Sequence, residues 1–112
     1  MQLLTKELMG SIPKLYETEE IELQDKTIHA KFFTPWSNWT WYAIEFDGED
    51  QCFGFVKGHD AEFGYFSLAE LAKLEGPFGL KIERNRHFTP TKVSRLSSSK
   101  KFPKLYTLAH WK

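Results

Sequence analysis

The fold is decided by the stretch TIHAKFFTPWSNWTWYAIEFDGEDQCFGFVK, which runs from Thr27 to Lys57. Its first part, Thr27–Phe33, alternates apolar and polar side chains and is typical of a strand with one face on a core. Pro35 ends that strand, because proline has no N–H for the hydrogen-bond ladder. Three predicted strands in this stretch therefore form the centre of a sheet.

The second and third strands are predicted at Trp39–Phe46 and Cys52–Lys57. The Asp47–Asp50 segment between them has the chemistry of a hairpin turn, so these strands are expected to pair as antiparallel neighbours. Strict alternation in the second strand predicts two faces. One face carries Trp39, Trp41 and Ala43, and the other Tyr42, Ile44 and Phe46. Core residues are expected to include Ile28, Phe32, Ile44 and Phe46.

Working outward, Thr5 is expected to cap a short N-terminal helix, and Ser67 to cap a helix near residues 67–75. The Gly58–Gly64 segment is predicted to be a loop, followed by a brief extended segment at Tyr65 and Phe66. Gly79–Arg84 is predicted to be a fourth strand, with the side chains of Leu80 and Ile82 facing the core. The predicted fold is α+β, with an antiparallel sheet of about four or five strands and the second helix packed on one face.

The length of 112 residues fits one domain. Residues 1–80 contain six lysines and 14 acidic residues, whereas residues 81–112 contain nine basic residues and one glutamate. We expect a domain at residues 1–90 and a basic C-terminal extension at residues 91–112, either packed on the domain or mobile.

The longest apolar runs are far below the roughly 20 residues that span a bilayer, so no membrane segment is expected. The N-terminus lacks the pattern of a signal peptide. The lone Cys52 cannot form an intrachain disulfide or a cysteine cluster. These features lead us to expect a cytoplasmic protein.

The strings Ala30–Tyr42, Glu62–Leu68 and Gly79–Arg84 resemble a family of small bacterial proteins. This family carries a domain of unknown function and is often encoded on plasmids and other mobile elements. The resemblance covers about residues 3 to 90, and its most specific part is Thr-Pro-Trp-Ser-Asn-Trp-Thr-Trp at residues 34–41. It implies a biological setting rather than a mechanism, and it transfers no catalytic residue.

The aromatic excess suggests a binding surface, since tryptophan and tyrosine are enriched at protein-binding hot spots. An alternative interpretation is that Trp39 and Trp41 only fill the core beneath the second helix. Our main hypothesis is a non-enzymatic binding module that acts on a protein partner, as a mobile-element accessory protein with a host-interaction or anti-defence role. We expect a monomer or weak homodimer. The residues assigned to binding are Trp36, Asn38, Trp39, Trp41, Glu62, Tyr65 and Arg84.

A second hypothesis is nucleic-acid binding, in which exposed aromatic rings stack on bases and the basic C-terminal third contacts phosphates. The cationic residues that would serve this role are Lys92, Arg95, Lys100, Lys101 and Lys104.

A third hypothesis is a small metal-dependent hydrolase that uses His59, Asp60 and Glu62. These residues lack a diagnostic spacing such as His-Glu-x-x-His, and acidic hairpin tips are usually solvated. We therefore favour a non-enzymatic protein and assign no catalytic residue, metal or cofactor.

Overall fold

Two six-residue helices and seven strands form the regular structure of residues 3–97, the part of the chain that the computed structural model describes. The helices are α1 (Lys6–Ser11) and α2 (Leu68–Lys73). The strands are β1 (Thr27–Ile28), β2 (Ala30–Phe33), β3 (Thr40–Phe46), β4 (Gln51–Lys57), β5 (Ala61–Ser67), β6 (Glu83–Arg84) and β7 (Thr91–Lys92).

Five strands form one antiparallel sheet in the order β5-β4-β3-β2-β6, while β1 and β7 pair separately. The predicted hairpin between β3 and β4 is confirmed. Its turn is closed by the Asp47 carboxylate, which accepts hydrogen bonds from the backbone N–H groups of Glu49, Asp50 and Gln51 at 2.7, 2.8 and 3.1 Å. These hydrogen bonds lower the pKa of Asp47, and the bond from the Asp50 N–H has the largest effect.

The predicted loop at Gly58–Gly64 is wrong, because Ala61 onward belongs to β5. This strand pairs with β4 from Lys57↔Ala61 to Gln51↔Ser67. The turn itself spans only three residues, and the Gly58 N–H donates to the Asp60 carbonyl at 2.9 Å. The polar residues that suggested a loop lie in this turn and at the start of an edge strand.

Two predicted strands are shorter than expected. The first is divided at His29, so that Thr27–Ile28 pairs with β7 while Ala30–Phe33 joins the main sheet. In the fourth, residues 77–79 form a 3-10 turn and only Glu83–Arg84 pair as a strand. Ile82 is buried as predicted, but Leu80 is exposed rather than inward.

Both faces of the sheet carry a core, and a β-bulge in β3 assigns residues between them. Ala43 pairs with Gly54, whereas Glu45 pairs with Phe53 and Phe46 with Cys52. The extra residue returns Phe46 to the face that carries Ala43, which corrects the face predicted from strict alternation. On the helix-bearing face, Phe46 packs with a cluster that includes Phe32, Trp41 and Leu71. The opposite cluster comprises Ile28, Tyr42, Ile44, Phe53, Phe55, Phe63 and Val93.

The two predicted helix caps are confirmed. The hydroxyl of Thr5 accepts from the N–H of Leu8 at 3.1 Å, and the hydroxyl of Ser67 accepts from the N–H of Glu70 at 3.2 Å. Both helices are short, so the regular structure of the described residues is mostly β, with less helix than the predicted α+β class implies. Among the described residues, no helix is long and apolar enough to cross a membrane.

Residues 91–96 contribute to the packing. β7 pairs with β1, and Val93 is fully buried against the face opposite the helices. Leu96 is half-buried against the same cluster.

Candidate binding site

An open cavity of about 580 Å³ lies on the helix-bearing face of the sheet, where three connections converge. These are the β2-β3 turn, the β4-β5 turn and the segment after α2. We call it the tryptophan cavity. Its lining residues are Thr34, Trp36, Ser37, Asn38, Trp39, Trp41, Gly58, His59, Leu74 and Glu75. The four predicted binding residues in the β2-β3 region, Trp36, Asn38, Trp39 and Trp41, thus lie together.

The β2-β3 turn is fixed by Thr34, a buried polar residue. The Thr34 N–H donates to the Trp39 carbonyl at 3.1 Å, and the Trp39 N–H donates to the Thr34 hydroxyl at 3.2 Å. The same hydroxyl is 2.5 Å from the hydroxyl of Ser37. This closed loop sets the backbone from which the Trp36 and Trp39 side chains project.

Two glycines provide the backbone surfaces on which two of the indole rings pack. A Cβ built on Gly58 would collide with the six-membered ring of Trp39, and a Cβ on Gly76 would collide with the ring of Trp36. Each indole therefore lies directly on glycine backbone, and the cavity wall depends on the absence of a side chain at both positions.

The aromatic rings run from the core to the surface. Trp41 is 8% exposed and belongs to the helix-side core, while Trp39 is 37% exposed. Their ring centroids are 5.9 Å apart with an interplanar angle of 27°. His59 meets Trp39 edge-on at 5.7 Å. The core-filling interpretation thus holds for Trp41, whereas Trp39 presents an aromatic surface to solvent.

Glu75 is the carboxylate of the tryptophan cavity. It forms an ion pair with Lys81 at 3.7 Å, and both side chains are more than half exposed. None of the described lining residues is a lysine or an arginine. The described lining thus supplies one carboxylate, which is paired with Lys81 beside the cavity.

A neighbouring cavity of about 420 Å³ shares Trp39, Trp41 and His59 with the first. Its lining also includes Glu62 and Tyr65, two more of the predicted binding residues, but the ring of Tyr65 packs on Phe53 at 5.3 Å on the opposite face of the sheet. Arg84 lies on the edge strand β6, where it pairs with Phe32, and it is not among the residues that line either cavity. Its Nε is buried without a hydrogen-bond partner among the described residues.

The residues of the hydrolase hypothesis do not assemble a metal site. Among residues 3–97, no group of three or more His, Cys, Asp and Glu side chains could hold a metal ion. His59 and Asp60 lie exposed in the β4-β5 turn, and Glu62 is half-buried on β5.

The basic residues of the nucleic-acid hypothesis lie away from the tryptophans. Lys92 and Arg95 are exposed in the segment that packs through Val93 onto the face opposite the tryptophan cavity. Lys100, Lys101 and Lys104 lie outside the described residues. Among the described residues, the tryptophans and the C-terminal cations thus belong to different faces.

Sequence reasoning missed a polar site on that opposite face. Glu45 is only 4% exposed, and its carboxylate accepts from the backbone N–H groups of Tyr16 at 2.8 Å and Thr18 at 3.0 Å. Lys26, also buried, donates to the Thr18 carbonyl and to its hydroxyl. Burial lowers the pKa of Lys26, and the nearby Glu45 carboxylate opposes that shift. The bulge in β3, which strict alternation does not reveal, turns Glu45 to this face.

Beside this polar group lies a cavity of about 290 Å³, lined in part by Tyr16, Ile21, Phe53 and Tyr65. Burial raises the pKa of Tyr65 to about 12, with a further contribution from the adjacent Tyr16 side chain. Tyr16 itself has a φ of 70°, in the left-handed region. The carboxylate of Glu45 accepts from two backbone N–H groups and from the Thr18 hydroxyl, so its structural effect is to hold residues 16–18 on the sheet.

Comparison with known families gives one finding. The model of the family described as "Protein of unknown function (DUF2958)" matches residues 3–101. The match includes the strings on which the sequence resemblance rests and extends past Pro90. Neither the curated proteins nor the solved structures contain a match to this chain.

Proposed function

The chain belongs to the family described as "Protein of unknown function (DUF2958)", and on that premise we propose that it is a non-enzymatic binding module whose tryptophan cavity holds a segment of a protein partner. The observation that carries the proposal is the exposed indole of Trp39. This ring lies on Gly58, next to Trp41 and His59.

A large aromatic side chain that is both exposed and held in place is well suited to binding. Aromatic anchors in well-packed pockets supply most of the binding energy at many protein interfaces. Because Trp39 is already confined by Gly58 and by the hydrogen bonds of the Thr34 turn, little rotamer freedom is lost when a partner docks.

The size and polarity of the cavity fit a protein segment. A volume of about 580 Å³ lies within the roughly 300–1,000 Å³ of typical ligand sites. Asn38, Ser37 and Glu75 supply hydrogen-bonding groups around an aromatic centre. This combination resembles the aromatic core and polar rim of protein interfaces.

A protein partner is favoured over nucleic acid by the charge of the site. Lysine and arginine neutralise phosphate charge and supply most of the affinity for nucleic acid, and the described residues that line the tryptophan cavity include neither. Lys92 and Arg95 lie toward the other face of the sheet. A nucleic-acid strand bound to one face would therefore not contact both these cations and Trp39.

The biological setting that we propose is that of an accessory protein of a mobile element, acting on a host protein in a host-interaction or anti-defence role. Support comes from the resemblance of Thr34–Trp41 to proteins often encoded on plasmids. A cytoplasmic location, a monomer or weak homodimer, and the absence of a cofactor belong to the same proposal.

The test is selection of binding peptides from a random display library on the full chain, with each pool then measured on two variants. Trp39→Ala removes the exposed indole of the cavity. Ile21→Ala removes a similarly exposed apolar side chain that lines the cavity on the opposite face. Circular dichroism first establishes that both variants are folded.

We expect enriched peptides to bind the wild type and Ile21→Ala equally and to lose at least about tenfold in affinity for Trp39→Ala, since hot-spot truncations cost about 2 kcal/mol or more. Peptides that bind Trp39→Ala as well as the wild type would place the binding surface elsewhere. Failure to enrich any sequence would contradict the proposed function.

A further inference from the structure

The chemistry of the tryptophan cavity is selective for charge as well as for shape. Three indoles line it, and indole is the best side chain for attracting a cation over a ring face. Glu75 adds a negative charge at the same cavity, and no described lining residue adds a positive one. An aromatic wall beside a carboxylate favours a ligand that is both apolar along its stem and cationic at its tip.

The carboxylate of Glu75 is available to a ligand. Its partner Lys81 is 3.7 Å away and both side chains are largely exposed, an arrangement whose pairing contributes only about 0–1 kcal/mol. The backbone of Glu75 is better fixed, because it bridges to Lys81 and because the Gly76 N–H donates to the Leu80 carbonyl at 2.8 Å. The side chain can therefore turn to a ligand while its Cα stays at the cavity.

The surroundings extend the acidic character. The neighbouring cavity, which shares Trp39 and His59 with the first, carries Asp60 and Glu62. A cationic segment lying along both cavities would meet one carboxylate in the first, which is paired with Lys81, and two in the second.

We infer that the tryptophan cavity takes an arginine or lysine side chain of the protein partner, with its stem against the indoles of Trp36 and Trp39 and its cationic group paired with Glu75. This inference rests on the proposed function and names the ligand class of the same site. The inferred ligand is therefore a basic peptide rather than a purely apolar or proline-rich one.

The experiment uses the ¹⁵N-labelled full chain and follows the indole N–H signals, assigned with the single variants Trp36→Phe, Trp39→Phe and Trp41→Phe. The probes are four blocked pentapeptides, Gly-Gly-X-Gly-Gly, with arginine, lysine, norleucine or proline at the centre. Norleucine is the matched control, since it keeps the stem of lysine and lacks the ammonium. Glu75→Gln removes the cavity charge, and Glu49→Gln removes one exposed charge in the β3-β4 turn, at the opposite end of β3 from Trp39.

We expect the arginine and lysine peptides to shift the Trp36 and Trp39 signals with dissociation constants at least about fivefold lower than that of the norleucine peptide. Glu75→Gln should reduce that preference to about twofold or less, and Glu49→Gln should leave it unchanged. Equal or tighter binding of norleucine or proline would overturn the inference while leaving a peptide-binding cavity in place.

Two further results would also overturn it. An equal effect of Glu49→Gln and Glu75→Gln would mean that the preference comes from overall charge. If no pentapeptide shifts the indole signals while display selection still yields Trp39-dependent peptides, cation recognition fails and the proposed function survives. If the display selection fails as well, both fail.

Discussion

The indole ring of Trp39 occupies the space above the α-carbon of Gly58 that a side chain at that position would fill. Gly58 lies in the turn between β4 and β5, and Trp39 immediately precedes β3. The contact therefore joins two connections of the sheet and sets the orientation of the exposed ring. Stability and binding can be separated at this contact, because Trp39 is partly exposed and buries less surface in the core than Trp41 does.

Gly58→Ala is expected to displace the Trp39 ring and to weaken binding of selected peptides about tenfold, while the free energy of unfolding changes by less than about 1 kcal/mol. Gly58 has no positive φ that would strain an alanine. Indole chemical shifts and urea unfolding measure the two effects. Gly10→Ala is the control, since its Cβ would meet no atom within 4 Å and alanine favours the α1 helix. An unmoved Trp39 signal in Gly58→Ala would contradict this prediction.

Local chemistry made much of the fold predictable. The alternation in Ala30–Phe33, the turn at Asp47 and the caps Thr5 and Ser67 each act over a few residues, and the structure contains them. The Trp36 to Trp41 cluster could be proposed as a site because its members are close in sequence. Their partners Gly76 and Glu75 could not, since these are brought to the tryptophans only by α2 packing on the sheet.

Other features depend on long-range pairing. The bulge that turns Glu45 to the opposite face arises from the register between β3 and β4. Strand β5 begins with residues of turn-like chemistry and is stabilised by its full ladder with β4. A single-strand pattern contains neither constraint, so the face of Phe46 and the extent of β5 were mispredicted.

Asp50→Ala is expected to lower the free energy of unfolding by about 1–2 kcal/mol and to increase amide exchange in α2. The carboxylate of Asp50 accepts from the Ala69 N–H at 2.7 Å and lies 2.5 Å from the Ser67 hydroxyl, so the hairpin turn caps the helix. Glu49→Ala, in the same turn, is the control. Equal protection of α2 in Asp50→Ala and the wild type would show that the cap contributes nothing.

Glu45→Gln is expected to lower the free energy of unfolding by about 1–3 kcal/mol, because an amide replaces a buried carboxylate that accepts from the N–H groups of Tyr16 and Thr18. Residues near Tyr16 should exchange their amide protons faster. Urea unfolding and hydrogen exchange measure both effects, with the exposed Glu49→Gln as the matched change of charge. A loss of stability as small as that of Glu49→Gln would contradict the proposed role of Glu45 in holding residues 16–18 on the sheet.

Nucleic-acid binding is expected to be weak and independent of the tryptophan cavity. The test is to titrate the protein with single- and double-stranded DNA and RNA at about 50 and about 200 mM salt. Binding through phosphate contacts releases counterions and is therefore weaker at the higher salt concentration. Any binding should decrease with salt and respond to a Lys92→Gln, Arg95→Gln double variant but not to Trp39→Ala. Salt-sensitive binding that Trp39→Ala abolishes would instead favour the stacking hypothesis over a protein partner.

Stability at alkaline pH should decrease because of Cys52. Its thiol is fully buried on β4, and burial, together with the negative charges of Asp47 and Asp50, raises its pKa from 9.0 to about 12. Between pH 9 and about pH 12, the thiol therefore stays protonated in the folded chain but is deprotonated in the unfolded chain. The resulting stability is complete below pH 9 and is lost as the pH rises from 9 to about 12, by about 1.4 kcal/mol per pH unit.

Tyr65, whose pKa is also raised to about 12, adds a loss above pH 10, whereas the lowered pKa of Lys26 acts in the opposite direction as the pH approaches 10.5. Comparison of the wild type with Cys52→Ala isolates the thiol, since the other two groups are common to both chains. We expect Cys52→Ala to be less stable at pH 8, because it removes buried volume, and to lose about 1 kcal/mol less than the wild type between pH 8 and pH 10. Parallel slopes of the two proteins in urea unfolding would show that the buried thiol does not govern the alkaline loss.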